Sequence, residues 1–166
     1  SAVRALHDGH TGYAPAAGWM PLREAIAADV AATRTIPVEP QQVVVCPGGK
    51  PVIFYTILAT VNPGDEVVHP DPGFPIFESM TRAVGAVARP YHPGSGAERR
   101  PDLEGLAAAI TDRTRLVILN SPGNPTGVVH HADELERIAA LCRDRDLCVL
   151  SDEIYSRILF RGEHLS

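Results

Sequence analysis

The sequence has 166 residues, a formal net charge of -5, 45% hydrophobic residues and 21% charged residues. This composition is typical of a globular protein that can bury a core, and the acidic balance argues against nucleic acid as a partner. It contains neither an apolar run of the about 20 residues that a membrane span needs nor a signal-peptide pattern. The three cysteines lack metal-ligand spacing and indicate buried thiols in a reducing compartment, so we expect a cytoplasmic protein without a membrane partner.

Hydrophobic periodicity predicts that strands and helices alternate along most of the chain. The predicted elements are a helix over 21–34, a strand over 42–46, a helix over 51–61, a strand over 66–70, a helix within 71–85, a strand over 86–92, a helix over 102–110 with Asp102 as its N-cap, a strand over 115–120, a helix over 132–146 and a strand over 147–153. The strands are apolar on both faces, as in parallel sheets that helices cover. The sequence therefore predicts an α/β fold: three α/β/α layers around a mostly parallel sheet.

The domain organisation follows from the same pattern. We expect residues 1–40 to form an N-terminal segment and helix, and residues 41–166 to form the larger domain. The chain starts without Met and stops soon after the apolar stretch RILF (157–160), so we expect a fragment of a longer protein.

Unusual residue clusters follow four of the predicted strands. They are the segments 48–50, 71–74, 120–127 and 152–155. Ligands of open α/β sheets bind beyond the carboxyl ends of the strands, so we expect all four clusters at the same edge of the sheet.

The first two clusters each allow a binding interpretation and a structural one. In CPGGK (46–50), Gly49 and Lys50 open a helix whose free N–H groups can hold a phosphate, although the loop could also be an ordinary turn. In DPGFPIF (71–77), Phe74 can stack on a flat ring, or it can plug the space between the loop and the helix.

The remaining motifs add polar groups. The amide of Asn124 in GNPTG can donate to a ring oxygen, or it can form an Asx turn that caps the next helix. In SDEIY (151–155), Asp152 can hold a protonated ring nitrogen and the phenol of Tyr155 can reach the same ligand, although acidic strand ends are common in α/β enzymes. Tyr13, in GYAPAAG (12–18), is either a candidate ligand contact or a surface aromatic in a loop.

Taken together and in order, these motifs resemble those of one enzyme family. The series GYAPAAGWMPLREAIA, CPGGKPVIF, HPDPGFPIF, NSPGNPTG and SDEIY is similar to the fold-type I, pyridoxal-phosphate-dependent aminotransferases of class I/II, the aspartate aminotransferase superfamily. The resemblance covers almost the whole chain. It implies the cofactor pyridoxal 5′-phosphate, and an amino acid and a 2-oxo acid as substrates.

The resemblance also implies roles for particular residues. Gly49 and Lys50 would offer backbone N–H groups to the cofactor phosphate, and Phe74 would stack on the pyridine ring. Pro51, which follows them, removes one N–H group that could face the phosphate. Tyr13 would reach the phosphate of a neighbouring subunit, which implies a homodimer with shared active sites.

Three further side chains would hold the ring itself. Asn124 and Tyr155 would hydrogen-bond the 3-oxygen of the pyridine ring, and Asp152 would pair with the ring nitrogen. A protonated ring nitrogen matters because the cationic ring is the electron sink of the family's chemistry.

The family's Schiff-base lysine has no counterpart in this chain. It belongs to a Ser-Lys motif downstream of SDEIY, beyond Ser166, and Lys50 is the only lysine present. The arginine that binds the substrate carboxylate would also lie beyond Ser166. We therefore assign no catalytic residue here, and we expect 41–166 to be a truncated large domain that does not transaminate and holds the cofactor weakly or not at all. The family topology further implies that 42–46 lacks its neighbouring strands.

Other classes of protein compete with this interpretation. A β-lyase of the same fold and a non-catalytic, truncated relic both share the motifs. A P-loop ATPase does not fit, because Val44 and Pro51 stand where GxxxxGK[ST] needs Gly and Ser/Thr. A metal site is not expected, because no Cys or acidic residue is suitably spaced from the histidine pairs 7/10 and 130/131.

Overall fold

A computed structural model describes residues 1–94, 100–160 and 162–166 of the chain. The described residues form two compact units, Ser1–Pro47 and Gly48–Ser166. The helices are α1 (Ala2–His7), α2 (Met20–Arg34), α3 (Gly49–Thr60), α4 (Ile76–Ala83), α5 (Leu103–Ala109) and α6 (Ala132–Asp144). The strands are β1 (Glu66–Pro70), β2 (Val87–Tyr91), β3 (Thr114–Asn120) and β4 (Cys148–Asp152).

The first unit consists of α1, α2 and a short 3₁₀ turn at Pro40–Gln42. Within it, α2 packs Ala27 inward, and the buried Arg23 donates from Nε to the carbonyl of Val43 at 2.8 Å. The helix α1 was not predicted, since it buries none of its residues and therefore leaves no hydrophobic periodicity in the sequence.

The predicted strand over 42–46 is wrong. Val43 has an extended backbone, but residues 43–46 join no strand ladder, and the N–H of Val45 donates to the carbonyl of Ala17 at 3.0 Å. The β-branched composition favours an extended backbone, but a strand also needs a pairing partner, which composition cannot supply.

The second unit contains a sheet of four strands in the order β2-β1-β3-β4, and every pair in it is parallel. The central strand β1 is buried along its whole length, whereas the edge strands β2 and β4 are partly exposed. Burial on both faces, which the apolar strand sequences predict, is therefore a property of the central strands alone.

Helices cover both faces of this sheet. Neighbouring residues of β1 point to opposite faces, so that Val67 packs with Phe77 of α4 while Val68 packs with Leu106 of α5. One cluster joins α3 and α4 to the sheet, and the other joins α5 and α6 to it. The predicted three-layer α/β/α fold with a parallel sheet is thus confirmed.

Candidate functional site

A cavity of about 200 Å³ opens at the carboxyl ends of the strands in the second unit. Its lining residues are Gly49, Lys50, Ile53, Phe74, Asn120, Asn124, Asp152, Ile154 and Tyr155. Six of the seven residues proposed from the sequence therefore share one cavity. The seventh, Tyr13, belongs to the first unit, where its side chain is fully exposed.

The N-terminus of α3 forms one wall of the cavity. Gly48 caps the helix with φ 97°, a conformation that favours glycine, and Gly49 and Lys50 are the first two helical residues. The first N–H groups of a helix have no partner inside it, and the helix dipole makes this end positive. A Cβ placed on Gly48 or Gly49 would meet no other part of the structure within 4 Å, so open space lies beside this backbone. This wall can accept an anion.

An aromatic ring forms a second wall. Phe74 is half-buried and packs edge-on against Phe77, with the ring centroids 5.9 Å apart and an interplanar angle of 88°. The Nζ of Lys50 lies 6.0 Å from the centroid of the Phe74 ring. Gly73 allows the tight turn before this ring, because a Cβ there would collide with the carbonyl oxygen of Pro70. A flat apolar surface is thereby held beside the anion-accepting helix end.

The loop that carries Asn124 is closed by its own hydrogen bonds. The N–H of Gly123 donates to the carbonyl of Val128 at 2.8 Å, and the N–H of Gly127 donates to the carbonyl of Gly123 at 2.7 Å. The alternative function of Asn124, capping the next helix, is not what the structure shows, because α6 begins with His131 as its N-cap.

Asp152 ends β4 and is partly buried. Its Oδ1 accepts a hydrogen bond from the N–H of Ile154 at 3.3 Å. Burial raises the pKa of the Asp152 carboxyl, and the neighbouring charge of Glu153 raises it further, while the Ile154 N–H acts in the opposite direction. A cationic partner in the cavity would therefore relieve an unfavourable charge.

Tyr155 follows in a turn after β4, in which the N–H of Ile158 donates to the Tyr155 carbonyl at 2.8 Å. The phenol ring is partly buried and lines the same cavity as Asp152. The carboxyl group of Asp152 and the phenol of Tyr155 thus line the same cavity, although both belong to one short segment.

Sequence reasoning assigned no role to three of the lining residues, Ile53, Asn120 and Ile154, although the last two lie within the predicted clusters 120–127 and 152–155. Asn120 is the polar one, and it is buried, with 6% exposure. The available signal was an amide at the end of the strand sequence RLVILN. The same residue begins the motif NSPGNPTG, in which only Asn124 was given a role.

Two buried histidines lie elsewhere in the second unit. Burial lowers the pKa of both His69 and His130, which favours their neutral forms. Across the described residues, no three metal-ligating side chains come together, and no helix is long and apolar enough to cross a membrane.

Known proteins share the sequence pattern and the fold of this chain. Residues 2–165 match the sequence profile of the family described as aminotransferase class I and II. The aspartate/prephenate aminotransferase of Thermus thermophilus is 39% identical over 166 residues, and the arginine–pyruvate transaminase of Pseudomonas aeruginosa is 38% identical over 166 residues. Each match covers 100% of this chain but only 43% and 42%, respectively, of the relative.

Solved structures agree. The aspartate aminotransferase of Thermus thermophilus with maleate superimposes with a TM-score of 0.95 at 39% identity, over 99% of this chain and 43% of that chain. The chain belongs to the class I and II aminotransferase family, and it spans less than half the length of these relatives.

Proposed function

We propose that this chain is the cofactor-binding part of a pyridoxal-phosphate-dependent aminotransferase, an enzyme that transfers an amino group between an amino acid and a 2-oxo acid. One observation carries the proposal: a single cavity joins a free helix N-terminus, an aromatic ring, an amide, a phenol and a partly buried carboxylate. The class of ligand that needs all five is a phosphorylated, cationic, flat ring with a polar substituent.

The residues present fit pyridoxal 5′-phosphate. The N–H groups of Gly49 and Lys50, beside open space, would hold its phosphate, and Phe74 would lie against its ring. When bound, the cofactor supplies an electron sink for the bond that breaks at the substrate's α-carbon.

The polar side chains would orient that ring. Asp152 would hold a proton on the ring nitrogen, because its carboxylate is partly buried and gains from a cationic neighbour. Asn124 and Tyr155, which line the same space, would donate to the ring's 3-oxygen.

The chain would act as part of a longer protein. We place the Schiff-base lysine beyond Ser166, because Lys50, the only lysine in the chain, lies at the helix end assigned to the phosphate. Residues 41–166 are then a partial large domain, which alone binds the cofactor weakly and does not transaminate. The relatives' names give different substrates, aspartate or prephenate in one and arginine with pyruvate in the other, so the proposal stays at the level of amino acid and 2-oxo acid.

We extend the proposal to the assembly and its location. Tyr13 projects fully into solvent, as expected of a side chain that a second subunit covers in a homodimer with shared active sites. The three unpaired cysteines support a cytoplasmic location, where thiols stay reduced.

Equilibrium dialysis of the chain against pyridoxal 5′-phosphate and against pyridoxal tests the proposal. The phosphorylated form should bind more tightly, because only it reaches the N-terminus of α3. Phe74→Ala should weaken binding of the phosphorylated form by about tenfold through loss of ring stacking.

Tyr55, an exposed aromatic outside the cavity, provides the control: Tyr55→Ala should leave the affinity unchanged. Equal affinity for the two ligands, or an equal loss in both variants, would contradict the proposed site.

A further inference from the structure

Asn120, the last residue of β3, lies between the two segments that carry the proposed ring contacts. We propose that Asn120 is a positioning residue that fixes the Asn124 loop and the end of β4 relative to each other. It would thereby set the geometry in which Asn124 and Asp152 meet a pyridine ring. This inference rests on the proposed function for its purpose, but its contacts are observed without a cofactor.

The side-chain amide of Asn120 makes one hydrogen bond to each segment. Its Oδ1 accepts from the backbone N–H of Asn124 at 2.7 Å. Its Nδ2 donates to the backbone carbonyl of Asp152 at 3.1 Å. The N–H of Ser121 donates to the same carbonyl at 3.2 Å, so this carbonyl accepts two hydrogen bonds.

The two contacts require a side chain that can accept and donate at the same time, as an amide does. One partner is a donor and the other an acceptor, so the bridging side chain must both accept and donate. Aspartate could accept from Asn124 but could not donate to the Asp152 carbonyl, and leucine could do neither. Because Asn120 is 6% exposed, water cannot readily replace a lost partner.

The opposite end of the same strand offers a matched comparison. Thr114, the first residue of β3, is fully buried, and its Oγ1 accepts from the N–H of Thr111 at 2.9 Å. This bond is also a buried link from a side chain to the backbone, but it touches neither ligand-facing segment. Thr114→Val is therefore a control for loss of stability alone.

Amide hydrogen exchange, followed by NMR, tests the bridge without any ligand. In Asn120→Leu the N–H of Asn124 should exchange about tenfold faster than in the unmutated chain, because its acceptor is gone. In Asn120→Asp it should stay protected, because a carboxylate oxygen still accepts. Asn124 exchange in Asn120→Leu no faster than in Thr114→Val would overturn the proposal.

Titrations followed by chemical shift then connect the bridge to the ligand. Both Asn120 variants should bind pyridoxal 5′-phosphate about tenfold more weakly than the unmutated chain, whereas Thr114→Val should not. Affinity for inorganic phosphate should stay unchanged in Asn120→Leu and Thr114→Val, since the N-terminus of α3 does not depend on Asn120; Asn120→Asp is left out of this comparison because it adds an anion to the cavity. A parallel loss for both ligands would mean a general structural role and would contradict positioning.

The two proposals fail in different ways. Absence of shifts in the unmutated chain with pyridoxal 5′-phosphate would contradict the weak cofactor binding proposed for this chain, while the exchange of the Asn124 N–H would still decide the bridge. If Asn120→Leu does not fold, Asn120→Asp carries the test: unchanged affinity for pyridoxal 5′-phosphate in that variant would contradict positioning.

Discussion

At the scale of single residues, Asp152, the proposed contact of the ring nitrogen, shows how a partly buried carboxylate can lower stability. Its carboxyl group is partly buried at the end of β4, and burial raises its pKa. A group whose pKa is higher in the folded state than in the unfolded state favours folding while it is protonated. That contribution is lost as the pH rises through the folded-state pKa, so the ionised group weakens the ligand-free fold at neutral pH.

We therefore expect Asp152→Asn to raise the thermal midpoint of the ligand-free chain at pH 7. The gain should shrink at about pH 3, where the carboxyl group of the unmutated chain is largely protonated. Thermal unfolding at the two pH values measures both effects. The exposed Asp112 provides the control, since Asp112→Asn should not reproduce the pattern. A gain of equal size at both pH values would show that the charge of Asp152 is not the cause.

Among the helices, α5 shows a local signal that specifies its own boundary. Asp102 was predicted as the N-cap, and the structure confirms it: Oδ1 of Asp102 accepts from the N–H of Gly105 at 2.9 Å. The helix has 7 residues and buries Leu106 against the sheet. Such a short helix depends on its cap and its packing rather than on intrinsic propensity.

We expect Asp102→Ala to lower the free energy of unfolding by about 1 kcal/mol, because the first turn of α5 loses its side-chain acceptor. Urea unfolding measures the difference. Asp102→Asn keeps an oxygen at the same position and should lose much less. Equal losses in the two variants would mean that the charge of Asp102, rather than its cap, stabilises the helix.

The elements also show where sequence reasoning stops. Periodicity predicts α2 to α6 and all four strands of the sheet, since each carries apolar residues at the spacing of its own geometry. The stretch 42–46 has a strand-like composition but no ladder, because pairing depends on distant residues. One of the two contacts of Asn120 is also distant in sequence: Asp152 lies 32 residues away, whereas Asn124 is only four residues away. Family motifs marked six cavity residues and included Asn120, but the hydrogen bonds by which its amide joins two of their segments could be found only in three dimensions.

At the scale of the molecule, the carboxyl groups at the two ends of the sheet have pKa values shifted in opposite directions. Glu66, the first residue of β1, is fully buried. Its Oε1 lies 2.7 Å from Nη2 of Arg113, and its Oε2 accepts from the hydroxyl of Thr111 at 2.6 Å and lies 3.3 Å from Nε of Arg89. This cluster connects β1 with β2 and with the turn before β3, far from the ligand-facing edge.

The surroundings of Glu66 make its charge favourable. Burial alone would raise the pKa of its carboxyl group, but the hydrogen bonds from Thr111 and Arg113 and the charges of Arg89 and Arg113 outweigh burial and lower the pKa. The carboxylate therefore stabilises the fold above its unfolded-state pKa, and this contribution is lost as the pH falls through the folded-state pKa.

We expect Glu66→Gln to lower the free energy of unfolding at pH 7 by about 2 kcal/mol, since the two arginines lose their anion. The difference between Glu66→Gln and the unmutated chain should narrow below about pH 4. Urea unfolding across this pH range measures it. At pH 7 the change in stability is opposite in sign to that expected for Asp152→Asn. A difference between Glu66→Gln and the unmutated chain that widens in acid would contradict the assigned role of the cluster.

The crystal structure of the chain with pyridoxal 5′-phosphate tests the central claim most directly. We expect the phosphate at the N–H groups of Gly49 and Lys50, the ring against Phe74, and the ring nitrogen within hydrogen-bond distance of the Asp152 carboxylate. A cofactor bound outside this cavity, or a ring nitrogen that faces away from Asp152, would contradict the assignment of the site.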